Sequence, residues 1–127
     1  MNTKTVLKTS MITLAVGGGL ALSSLLFAAD EKAPAARTQT LKGEIVDLMC
    51  YLDHGAKGEK HKGCAEKCIK GGGPVGLLSG DQLYLVVGDH QPMNEDLAPK
   101  AGKTVTLTGK VVERNGVKMI ENAKLEK

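Results

Sequence analysis

The chain has 127 residues, with 17 basic against 14 acidic side chains for a formal charge of +3, and it is 42% hydrophobic but only 2% aromatic. A chain this short has room for one small domain, and with no Trp its core must be assembled from Val, Leu, Ile and Met. Two of the surplus lysines, Lys4 and Lys8, sit in the first ten residues, so the remainder carries a formal charge of about +1 and offers no electrostatic case for binding nucleic acid or an anionic membrane.

Residues 1–28 have the layout of a secretory signal peptide. Lys4 and Lys8 form a basic start, Met11 to Phe27 is free of charge, and Ala28 and Ala29 supply a small-residue cleavage site before Asp30. The apolar run is at the lower limit for a membrane span and is diluted by Gly17, Gly18, Gly19, Ser23 and Ser24. Cleavage, a periplasmic or secreted mature protein and no stable membrane anchor are therefore expected. Residues 29–40 are polar and contain Ala and Pro without periodicity, which predicts a flexible lead-in to a domain spanning 41–127.

From Leu41 to Met49 alternation predicts a first strand, apolar on both faces towards its end. Tyr51 to Gly63 reads as a loop rich in Gly, Lys and His. A short helix over His61–Lys70 is stopped by Gly71, Gly72 and Gly73, then Pro74. Val75–Leu78 and Gln82–Val87 flank Ser79-Gly80-Asp81 as a hairpin, and Asn94 is placed to cap one helical turn. Alternation over Thr104–Val112, the turn pair Asn115-Gly116 and a returning Val117–Leu125 form a second hairpin. Five strands with one inserted short helix predict a mainly β protein, a small barrel of the OB type, with Gly43 and Gly109 at its bends.

The chemistry-bearing residues gather between Asp47 and Cys68: all three cysteines (Cys50, Cys64, Cys68), His54 and His61, while His90 lies apart. On a helix, positions 61, 64 and 68 share one stripe; if it faces the end of the first strand, Cys50 completes a Cys₃His set suited to Zn²⁺, with donors soft enough for Cu⁺. Positions 61 and 68 are about 10 Å apart along a regular helix, so His61 must lean forward or precede the helix. His54 is the substitute ligand, and Asp47 either orients the imidazole or simply turns the chain.

Two other readings stay open. An exported chain with three cysteines can form one disulfide and keep a free thiol. Cys64 and Cys68, on successive helical turns, have Cβ atoms about 6 Å apart where a disulfide needs about 3.8 Å, so Cys50 would be one partner. Alternatively Cys64, in the first helical turn, is a reactive thiol of a redox carrier, with His61 or His54 as proton acceptor. The Lys57, Lys60 and Lys62 loop could dock an acidic periplasmic protein. Motifs for covalent haem, thioredoxin-type exchange, zinc peptidases and serine hydrolases are absent from the sequence.

The runs Gly43 to Tyr51 (G-x-I-x-D-x-x-C-Y), His61 to Ile69 (H-x-x-C-A-x-x-C-I), Gly72 to Leu78 (G-x-P-V-G-L-L) and Ala101 to Val111 (A-G-K-x-V-x-L-x-G-x-V) resemble a group of small exported bacterial proteins with an OB-like pattern, mostly uncharacterised. The resemblance implies that fold and treats Cys50, His61, Cys64 and Cys68 as a unit; it implies no activity.

Overall fold

The computed structural model describes residues 36–127; the expected signal peptide and most of the lead-in lie outside them. Strands β1 (Arg37–Asp47), β2 (Val75–Ser79), β3 (Gln82–Val86), β4 (Thr104–Arg114) and β5 (Val117–Leu125) form a closed barrel in the order β1-β2-β3-β5-β4, with helices α1 (Leu48–His54), α2 (Lys62–Lys70) and α3 (Asn94–Leu97) in the connections. The mainly β, OB-like architecture expected from the strand pattern is the one formed. All pairings are antiparallel except β3 with β5, which meet in parallel at Leu85↔Met119 and Val86↔Ile120.

Both hairpins fall where turn chemistry put them: Gly80 (φ 58), Asn115 (φ 52) and Gly116 (φ 79) adopt the left-handed backbone that such turns demand. Gly109 lies at a register shift between Thr108 and Lys110, where a Cβ would stand 2.9 Å from the Glu121 carbonyl oxygen, so the two strands can close there only over a bare backbone.

Three expectations are corrected. β1 starts at Arg37, inside the supposed lead-in, because Arg37 to Thr40 pair with Val111 to Thr108 of β4 along the backbone while staying exposed, with the Thr40 and Thr108 hydroxyls adding a 2.7 Å bond across the pair. The end of the first strand and the start of the supposed loop are instead helix α1. Asn94 does not cap a helix; Met93 occupies that position, and the Asn94 amide donates to the carbonyls of Ile69 (2.6 Å) and Gly73 (2.7 Å), fastening α3 to the end of α2.

The core is aliphatic: Ile45, Leu77, Leu107 and Ile120 fill the barrel, and Ile69 of α2 and Leu97 of α3 join the same buried cluster. On α2 the buried side chains are Ala65 and Ile69, one turn apart. Each sits on one side of the helix, and this anchoring decides where the cysteines go.

Candidate metal centre

Cys64 and Cys68 each precede a buried anchor by one residue, Ala65 and Ile69 respectively. One residue rotates a helix by about 100°, so the two thiols lie on a stripe beside the packed face and at its edge. Cys68 is half-buried there and Cys64 is exposed.

Cys50 comes from α1, whose geometry is set by its ends. The Asp47 carboxylate caps the helix by accepting from the Cys50 amide at 2.9 Å. At the other end Gly55 turns left-handed (φ 70), its amide donating to Tyr51 (2.8 Å), and the amide of buried Ala56 reaches the Cys50 carbonyl at 3.4 Å. This is the paired-bond helix stop in which glycine releases the chain. The Cys50 backbone is therefore held through both its N–H and its C=O. The chain then returns to α2 through Gly58, whose amide donates to the Glu44 carboxylate, and a 3₁₀ turn at Glu59–His61.

These two supports bring the sulfur atoms of Cys50, Cys64 and Cys68 within 4.8 Å of one another. All three are free thiols. A metal bonded to three sulfurs at about 2.3 Å needs them about 4 Å apart, so one ion can touch all three after small side-chain rotations. The convergence expected from the sequence is present for the three cysteines. Neither expected imidazole belongs to the cluster. His61 is the residue before α2 and already has helical backbone (φ −103, ψ −1), so it remains about 10 Å below Cys68 along the axis. Its ring instead faces that of His54, with centroids 6.3 Å apart, and His54 is in hydrogen-bond contact with Asp53 at 3.1 Å.

Asp47 is the residue whose role the sequence understated. Only 1% exposed, it spends one carboxylate oxygen on the helix cap and leaves Oδ1 buried with no hydrogen-bond partner. Gly73 gives that oxygen its space: a Cβ at position 73 would lie 2.8 Å from Asp47 Oδ1 and 2.8 Å from the Cys68 carbonyl oxygen. The Cys50 thiol lies close enough to this carboxylate for its accepting oxygens, then burial, then its negative charge, to favour the protonated form, and the thiol is pushed from 9.0 up to about 12. Burial, then the neighbouring Cys64, also raises Cys68. Both groups hold their protons at neutral pH unless something more strongly bound than a proton replaces them.

Comparison with protein-family models, with curated proteins and with solved structures returns no match to this chain. Fold and site together define an OB-like barrel carrying a three-cysteine cluster, at the edge of the helical insertion between β1 and β2, that is compatible with holding a metal ion.

Proposed function

We propose that this is a small exported metal-binding protein that holds one thiophilic ion, Zn²⁺ or Cu⁺, through Cys50, Cys64 and Cys68. The observation that carries the reading is the meeting of three free sulfurs from two separate helices within 4.8 Å. Thiolate ligands are the softest a protein offers and select these ions. Export, and with it a periplasmic setting, rests on the N-terminal sequence pattern. The role is metal handling more than scaffolding, because the aliphatic core closes around the barrel without any cysteine in it and one ligand, Cys64, faces solvent.

Metal analysis of the protein recovered from the periplasm, with thiol counting on the same sample, tests this. One ion per chain, with the three thiols slow to alkylate until a chelator is added, is the expected result. Metal-free protein with one quantitative disulfide overturns it.

A thiol redox carrier is the second reading, favoured by an exposed Cys64 beside two half-buried thiols able to resolve a mixed disulfide. It requires Cys64 to alkylate at neutral pH faster than an unstructured thiol, and fails if it does not.

A further inference from the structure

Resting on the metal-binding reading, we infer that the cluster is a three-coordinate Cu⁺ site, closed by sulfur alone, that loads and unloads across its exposed Cys64 edge.

The donor set comes first. Among the described residues, the cluster contains three cysteines and no His, Asp or Glu. His61, in the turn before the helix, and Asp47, whose Oδ2 caps α1 and whose Oδ1 is buried without a partner, put no ligand atom within 4.8 Å of all three sulfurs. A zinc site of this type needs four ligands and would have to complete its tetrahedron from solvent, as catalytic zinc does. Three thiolates satisfy Cu⁺ outright, since it is softer and accepts low coordination numbers. Sulfurs within 4.8 Å of one another need only contract to about 4 Å to bond one ion equally.

Charge supports the same ion. Three thiolates around Cu⁺ leave a net charge of −2 on the centre. The helix that supplies two of them carries Lys62, Lys67 and Lys70 against Glu66, and the approach to it carries Lys57 and Lys60 against Glu59. Lys62 pairs with Glu59 (3.1 Å) and Lys70 with Glu66 (2.6 Å), which leaves exposed Lys57, Lys60 and Lys67 as the basic surplus along the element that would hold an anionic centre.

Access comes third. Cys50 has its backbone fixed by Asp47 and Ala56, and Cys68 is half-buried above Ile69; Cys64 alone is exposed. A competing thiolate or thioether can therefore reach the ion on the Cys64 side and displace that ligand while the other two hold.

The test uses the full mature chain, reduced and metal-free, loaded with Cu⁺ or with Zn²⁺ under anaerobic conditions. X-ray absorption of the copper form is expected to show three sulfurs and no nitrogen shell, and competition to show Cu⁺ displacing Zn²⁺. H54A and H61A should bind Cu⁺ within about twofold of the parent, while C64S should lose more than the roughly 100-fold that removing a mere supporting group causes. Removal by an excess of a Cu⁺ chelator should accelerate in proportion to chelator concentration, the mark of attack on a bound ion. An imidazole shell, Zn²⁺ outcompeting Cu⁺, or a removal rate independent of chelator overturns the inference and leaves a metal centre standing. Failure of both ions to bind a protein whose circular dichroism is unchanged removes the centre as well.

Discussion

Asp47 does two jobs with one carboxylate, and substitutions separate them. Asp47→Ala removes the cap on the Cys50 amide and should destabilise the apo protein by about 1–2 kcal/mol in urea unfolding. Asp47→Asn keeps an oxygen for the cap while removing a buried charge whose second oxygen has no partner, so it should be near neutral or stabilising. The pH dependence follows from Cys50. Its proton is held more tightly in the folded chain than in the unfolded one, so that contribution is complete below about pH 9 and is lost as pH rises towards about 12. The apo protein should lose stability across that window, and Asp47→Asn should flatten the loss relative to the parent. Metal loading near neutral pH should release at least two protons in a weakly buffered titration, from Cys50 and Cys68, because each must become a thiolate to bind. At Gly73 even a methyl group meets the Asp47 carboxylate and the Cys68 carbonyl. Gly73→Ala should therefore destabilise by about 1–3 kcal/mol and weaken metal binding together.

At the scale of elements, α3 is a latch on α2 through Asn94. Asn94→Ala strands the Gly73 carbonyl, while the Ile69 carbonyl keeps the Gly72 amide at 3.0 Å, and a carbonyl left without a partner costs about 1–3 kcal/mol. Hydrogen exchange should quicken at the C-terminal turn of α2 while the barrel strands stay protected. The strands and α2 were legible in the sequence because their signals are local: alternation over Thr104–Val112, the turn at Asn115-Gly116 and the glycines after Lys70. Helix α1 was not, although Asp47 and Gly55 are good start and stop residues. Ile45, Val46, Leu48 and Met49 form an apolar run almost unbroken from the strand into the helix, and such a run has no period to distinguish the two. The first residues of β1 were hidden for the opposite reason: Arg37 to Thr40 bury nothing and are held by backbone pairing. At the site, sulfur was placed well because Ala65 and Ile69 fix the face of α2. The histidines lie outside the cluster because the helical backbone at His61 keeps the separation of about 10 Å that the helix over His61–Lys70 already implied, and the forward lean that would have closed it does not occur.

For the whole molecule, stability is thin. A domain of this size is held by about 5–14 kcal/mol, without Trp or Phe among residues 36–127 to add burial. Leu107→Ala, at a fully buried position, should remove about 2–5 kcal/mol. An ion present at 100 times its Kd returns about 2.7 kcal/mol, so loading should raise the melting temperature by about 10–20 °C and rescue much of the Leu107→Ala loss. Calorimetry of apo and loaded forms checks both. A loaded form melting no higher than the apo form would contradict the coupling of site to fold.

The barrel's circular order also has a consequence in time. β5 is the last strand in the chain, yet it lies between β3 and β4, so until it arrives both neighbours stand with bare edges. Such an intermediate can accept the corresponding strand of a second chain as readily as its own, with the Asn115-Gly116 turn as the hinge. Refolding at high concentration should trap strand-exchanged dimers that dilution converts only slowly to monomer, whereas stiffening or shortening that hinge would change their yield without altering the native barrel.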